Sequence, residues 1–157
     1  MANVTNITVS GLGGQGVLKV TDILAEVLFR AGYDVKKSEV HGMSQRGGSV
    51  SSEVRFGDEV ASPMVPEGES DFLVVLDPTQ IEVNLHKLKQ GGTLITTDDV
   101  PMDKLKSPKA LNIMMLGALS DKFPAIGEEL WLEVIKAFLP QKLHEMNIEM
   151  FRLGRKK

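Results

Sequence analysis

No cysteine occurs anywhere in the 157 residues. That single absence removes disulfides, thiolate nucleophiles and thiolate-held iron–sulfur or zinc sites together, so any iron–sulfur chemistry tied to this protein must reside on another chain. An excess of one charge is missing as well: 18 lysines and arginines stand against 21 acids, a formal net charge of -3. Nucleic-acid binding is dominated by phosphate neutralisation and finds no broad positive field here. No apolar run approaches bilayer-spanning length, and Met1 to Asn6 holds no cationic stretch followed by an apolar one. The expectation is a cytoplasmic protein with neither nucleic acid nor membrane as a partner. Repeats, linkers and low-complexity segments are also lacking, so one domain over residues 1-157 is the reading.

What is present is an alternation of strand and helix patterns. Val4, Ile7 and Val9 form a short apolar run that stops at Gly11, and Val17, Val20, Leu24, Val27, Leu28 and Ala31 then recur at helical spacing. Gly32 suits a left-handed cap, and Tyr33 to Glu39 reads as a second strand parallel to the first, which would make a βαβ unit. Val50, Val54 and Phe56 alternate with Ser51, Glu53 and Arg55, a strand with one face buried and one wet. Gly57-Asp58 predicts a tight turn into Val60 to Ser62, an irregular hairpin, and the prolines of Ser62 to Pro66 predict a loop. Phe72 to Leu76 reads as a strand covered on both faces.

Asp77-Pro78-Thr79-Gln80 offers an N-cap, a first-turn proline and a reciprocal cap for a helix through Ile81, Leu85 and Leu88, ended by Gly91-Gly92. A strand from Thr93 to Thr97 follows, and then helices over Asn112 to Phe123, Glu128 to Leu139 and from Gln141 onward. The expected architecture is a Rossmann-like three-layer α/β fold, a mostly parallel sheet with helices on both faces.

Two segments could carry function. Gly11, Gly13 and Gly16 occupy the glycine positions of the dinucleotide fingerprint, directly after a strand and opening a helix. The amides at such a helix start favour an anion, and where an acid is expected about twenty residues on the sequence reads Lys36-Lys37-Ser38-Glu39, an incomplete match in which Glu39 could serve while the two lysines suit a phosphate at least as well, or simply solvent. Ligand binding and a purely structural turn at a subunit contact therefore both stand. The second segment, from His41 to Gly48, gathers an imidazole, the Gln45 amide and the Arg46 guanidinium among Gly42, Gly47 and Gly48, beside the first loop by fold geometry. Arg46 has the planar fork for a carboxylate or phosphate, or for a partner's acid. No histidine or acid lies near His41 at metal or relay spacing, and the serines of Ser49 to Ser52 lack a nucleophile-elbow pattern. No residue of this chain is read as catalytic by itself, and no metal site is expected. A stand-alone nucleotide- or dinucleotide-binding module is the alternative function.

GLGGQGV at Gly11 to Val17, SEVHGMSQRGGSVSSEVRFG at Ser38 to Gly57, SPMVPEGESDFLVVLDP at Ser62 to Pro78 and NIMMLGAL at Asn112 to Leu119 together resemble the gamma-type domain of the 2-oxoacid:ferredoxin oxidoreductases, the pyruvate/ketoisovalerate oxidoreductase family. The form His-Gly-Met-Ser-Gln-Arg-Gly-Gly is most similar to the indolepyruvate branch, and the connection between Thr97 and Asn112 is shorter than the family suggests.

The resemblance implies a subunit of an oxidoreductase acting on an oxo group with an iron–sulfur acceptor. That enzyme decarboxylates a 2-oxo acid oxidatively to an acyl-coenzyme A and reduces ferredoxin. Thiamine diphosphate, iron–sulfur clusters and coenzyme A would be used through larger partner subunits, with none held firmly by this chain and the isolated chain inactive. Self-association of the isolated chain is left open. Carried over from the family, the site candidates are Gly11, Gly13, Gly14, Gln15 and Gly16 with His41, Gln45, Arg46, Gly47 and Gly48, facing the partner near substrate or coenzyme A phosphates.

Overall fold

The computed structural model describes residues 3–41 and 48–155. The order is β1 (Val4–Leu12), α1 (Val17–Arg30), β2 (Asp34–His41), β3 (Ser49–Gly57), β4 (Ser70–Val75), α2 (Ile81–Asn84), β5 (Leu88–Ile95), α3 (Leu111–Ser120), α4 (Glu128–Phe138) and α5 (His144–Arg155). The helix α1 ends as its sequence predicts. Gly32 takes φ 103°, its amide donates to Phe29 O, and the Tyr33 amide reaches Leu28 O, a pair of bonds that satisfies the last carbonyls.

The sheet corrects the expectation of a mostly parallel array. Its order is β2-β3-β1-β4-β5, with β3 antiparallel to both β1 and β2 and only the β1–β4 and β4–β5 pairs parallel. The sheet is mixed. The second strand does run in the direction of the first, but β3 is interleaved between them, so the predicted βαβ unit is split. Hydrophobic pattern sets a strand's face and not its neighbour, which is why the sequence alone missed the insertion. The hairpin is displaced for the same reason: β2 and β3 pair antiparallel, whereas Val60 to Ser62 forms no strand. That segment is instead held by side chains, the Val60 amide donating to Asp34 Oδ2 at 2.7 Å and Arg55 Nη1 donating to Ser62 O at 2.8 Å and Met64 O at 2.9 Å.

The β1–β3 register pairs Ile7 with Val54 and Thr5 with Phe56, and one face of the sheet carries Ile7, Val9, Val54, Phe56, Val74 and Ile95 into the core with α1, α3 and α4. Along this face Tyr33, Phe56, Phe123 and Phe72 form a chain of rings with centroids 5.0, 5.6 and 5.1 Å apart, in edge and tilted contacts. Every residue of α3 is buried, Met114 and Met115 included, between this layer and α5.

Among the described residues the opposite face is covered by the segment from Pro78 to Lys87 and the connection after β3, and by no long helix. There the predicted helix through Ile81, Leu85 and Leu88 is a broken one: a 3-10 turn Pro78–Gln80, α2, a 3-10 turn Leu85–Lys87, and then β5, which already contains Leu88, Gly91 and Gly92. Asp77 is the N-cap as predicted, but the Gln80 side chain does not return to it.

Helices α3 and α5 meet through glycine. A Cβ on Gly117 would overlap Phe151 O, and one on Gly154 would overlap Met114 O. Glycine to alanine in a helix ordinarily stabilises, by about 1 kcal/mol. Here Gly154→Ala is expected to cost about 1–3 kcal/mol through overpacking, read as a lower midpoint in thermal denaturation. Gly127→Ala, at a position open around its Cα, should leave the midpoint near that of the natural chain.

Candidate functional site

The carboxyl ends of β1, β2 and β4 and the start of β3 meet at one end of the sheet. Gly11 lies in β1, buried; Gly13 and Gly14 form the turn; Gly16, at φ 79°, is the N-cap of α1. His41 is the last residue of β2. Gln45, Arg46 and Gly47 lie outside the described residues. Gly48 directly precedes β3, and its carbonyl accepts from the Gly13 amide at 2.8 Å. One backbone hydrogen bond thus joins the two glycine segments that the sequence singles out.

The turn is braced from within. Gln15 folds back so that its Oε1 accepts from the Leu12 amide at 2.7 Å while its Nε2 donates to Asp77 Oδ2 at 3.1 Å, and the Gln15 amide itself donates to Leu12 O at 3.1 Å. The amides of Leu12, Gly13 and Gln15 are therefore engaged by protein groups. In the dinucleotide pattern the turn's backbone is left open to a pyrophosphate; here a glutamine occupies that inner side. A Cβ on Gly11 would come within 2.8 Å of Gln15 Oε1 and 3.1 Å of Val17 Cγ2, so glycine is required by the folded-back glutamine. At Gly16 a Cβ would overlap Asn112 Nδ2, which donates to Gly16 O at 3.2 Å and ties the start of α1 to α3. On the outer side, Leu12, Gly13, Gly14, Lys19 and Val50 line an open recess of about 420 Å³.

The ribose-holding acid of that pattern is also absent in effect. Lys37 sits between Glu39, with which it forms a short ion pair, and Asp22 of α1 at 3.0 Å. Burial pulls the Lys37 pKa down, but the two carboxylates outweigh it and the ammonium is held charged above its usual range. Lys36 is 3.3 Å from Asp34. Both lysines are committed to neighbours on β2 and α1, and β3 stands between them and the glycine turn, a strand spacing of about 4.8 Å.

Three residues that sequence reasoning missed hold the site from below: Gln80, Asn84 and Lys87. They recur at helical spacing, but the apolar set Ile81, Leu85 and Leu88 was the more obvious face. The structure reverses that choice, with Gln80 and Asn84 buried and Leu85 43% exposed. Across the gap the sheet presents the paired Ser10 and Ser51 hydroxyls, 2.9 Å apart, and Ser51 Oγ also accepts from Lys87 Nζ at 3.0 Å and stands 3.5 Å from Asn84 Oδ1, so a polar face turns toward a polar one. Among the described residues no three histidine or acidic side chains gather as a metal ion requires.

Asp77 links the turn to the end of β4. It accepts from the Thr79 hydroxyl at 2.6 Å, from the Thr79 amide at 3.0 Å and from Gln15, and these bonds, the hydroxyl foremost, hold its carboxyl below the usual carboxylate range against the opposing effect of burial. Asp77→Ala is expected to cost about 1 kcal/mol at neutral pH, the usual worth of an N-cap. Because the folded-state pKa is the lowered one, this advantage is fully present above the unfolded carboxylate pKa and fades as the pH falls through the folded value. Denaturant titrations of both chains at neutral and acidic pH should converge in acid.

The family model for pyruvate ferredoxin/flavodoxin oxidoreductase matches residues 6–157. The indolepyruvate oxidoreductase subunit IorB of Archaeoglobus fulgidus is 49% identical, over 95% of this chain and 92% of that protein. Its alignment runs to 187 positions, more than the length of this chain, so that relative carries internal insertions here absent. In structure, the gamma subunit of a keto/oxoacid ferredoxin oxidoreductase from Geobacter sulfurreducens superposes with a TM-score of 0.83 at 25% identity, over 99% of this chain and 97% of that one. The 2-oxoglutarate:ferredoxin oxidoreductase of Magnetococcus marinus, solved with 2-oxoglutarate, coenzyme A and succinyl-CoA bound, shares the fold with a TM-score of 0.83 at 24% identity, over 98% of this chain but 30% of that chain. With motif, topology and full-length similarity in agreement, this chain belongs to the pyruvate ferredoxin/flavodoxin oxidoreductase family.

Proposed function

We propose that this chain is the small subunit of an indolepyruvate-type 2-oxoacid:ferredoxin oxidoreductase, working in the cytoplasm against a larger partner subunit. The observation that carries the reading is the similarity to IorB over nearly the whole of both proteins, with the two family motifs closed onto each other at one sheet end. The chain's own chemistry supports a subunit role. It has no cysteine to hold a cluster, and at its glycine turn three amides are already engaged, Leu12's by the Gln15 side chain, Gly13's by Gly48 O and Gln15's by Leu12 O, a poor fit to a dinucleotide held by this chain alone.

Thiamine diphosphate, held by the partner, would supply the electron sink that lets a 2-oxo acid lose carbon dioxide. This chain would contribute a rigid wall. Gln15, Asp77 and Asn112 fix the glycine turn, and the recess outside it is open for a partner element or for the polar tail of coenzyme A. Arg46, at the middle of the second motif, has the planar donor fork that carboxylate or phosphate calls for. Rigidity at such a surface matters because small displacements of a positioning element are costly in rate.

The test is purification at native levels with identification of whatever accompanies the chain, followed by dye or ferredoxin reduction on several 2-oxo acids. A cysteine-rich, thiamine-binding partner and reduction dependent on an aryl pyruvate are expected. Preference for another 2-oxo acid would discard the indolepyruvate branch, and a chain recovered alone with bound nucleotide would overturn the subunit reading. In the assembled enzyme, Arg46→Ala is expected to lower turnover or coenzyme A affinity by about tenfold, the worth of one charge-assisted hydrogen bond.

A further inference from the structure

The face of the sheet opposite α1 carries a line of buried polar groups that reaches the candidate site. Thr8 and Ser70 hydroxyls lie 2.5 Å apart and Ser10 and Ser51 hydroxyls 2.9 Å apart. Above them, the Asn84 side chain donates to Gln80 O at 2.8 Å and stands 3.5 Å from Ser51 Oγ. Ser49, the first residue of β3, donates to Gln80 Oε1 at 2.6 Å, and Lys87 Nζ donates to Ser51 Oγ at 3.0 Å. Ser10, Ser51, Gln80 and Asn84 are all at least nine-tenths buried.

A lysine half-sunk against neutral hydroxyls is costly to keep. Burial lowers the Lys87 pKa, with Glu53 and Glu67 partly opposing, and no carboxylate among the described residues makes an ion pair with it. Stability alone would be served as well by an apolar contact, since replacing both partners of such a bond is often neutral. The arrangement does one thing an apolar contact cannot: it fixes the first residues of β3 in direction as well as in depth. Those residues follow Gly48, whose carbonyl holds the Gly13 amide.

We propose that Gln80 and Lys87 are positioning residues, clamping the Gly48–Ser51 end of the second motif so that it and the glycine turn meet the partner subunit in one fixed geometry. Neither residue touches substrate in this account; each acts through Ser49 or Ser51. The functional part rests on the subunit reading above, whereas the clamp itself is a property of this chain.

Two measurements test it. In the full chain, amide hydrogen exchange at Gly13 and residues 48–51 should quicken about tenfold in Gln80→Ala and in Lys87→Met, while α3 and α5 keep their protection. In the assembled oxidoreductase, the same variants should lose about tenfold in kcat at wild-type subunit stoichiometry and unchanged thermal midpoint. Gln80→Glu, which keeps the acceptor for Ser49, and Lys87→Arg, which keeps the donor to Ser51, should restore most of it. Unchanged exchange would overturn the clamp whatever the enzyme does. Quickened exchange with turnover within twofold of wild type would confine these residues to folding and overturn the positioning role. An assembly without 2-oxo acid activity in the wild type strikes at the subunit reading instead, and the exchange result stands apart from it.

Discussion

The nine-residue antiparallel ladder between β1 and β3, from Val4 opposite Gly57 to Leu12 opposite Ser49, fixes nearly everything else. Strand side chains alternate between faces, so this one register sends Ile7, Val9, Val54 and Phe56 to the helices and Asn6, Thr8, Ser10, Ser51 and Arg55 to the other side. A slip by one residue would exchange the two sets, placing hydroxyls in the apolar layer and isoleucine and phenylalanine in the polar one. The same register delivers Gly48 to Gly13, because β3 begins where β1 ends.

The two faces of the sheet are solved by different physics. On the helix side the core is apolar and close-packed, with Trp131 and Phe151 fully buried and ring centroids 6.0 Å apart. Two polar atoms, Ser52 Oγ and Trp131 Nε1, lack a hydrogen-bond partner among the described residues on that side. On the opposite side burial is reconciled with polarity by pairing: serine with serine, threonine with serine, Arg55 with Asn6 and with the carbonyls of the connection after β3. A short broken helix suffices as a cover there, since it must supply amides and an ammonium at set points and not a broad apolar surface.

The glycines of the turn answer to contacts within the chain. Gly11 and Gly16 are needed for the close packing they allow, against Gln15 and Asn112, and Gly16 also for its left-handed backbone. The amides of Leu12 and Gly13 are taken up by Gln15 and Gly48, which makes the turn a joint between two segments of the chain. A joint of that kind suits a family whose members, by name, are subunits of oxidoreductases acting on 2-oxo acids.

The helices α1, α3, α4 and α5, the strands β1, β3 and β4, the Gly32 cap and the Asp77 cap are all written in local sequence, since apolar period, capping residues and glycine placement act over a few residues. The motifs, read together, also determine the family. What the sequence could not decide was who neighbours whom. Interleaving β3 between β1 and β2 costs nothing in local pattern, because antiparallel and parallel strands of this length share the same alternation. The inward turn of Gln80, Asn84 and Lys87 was hidden because a helix's buried face is chosen by what it packs against, and the polar sheet surface that chose it forms only when β1 and β3 pair. Local chemistry determined the elements; long-range pairing determined which side chains meet, and so where the site is and what holds it.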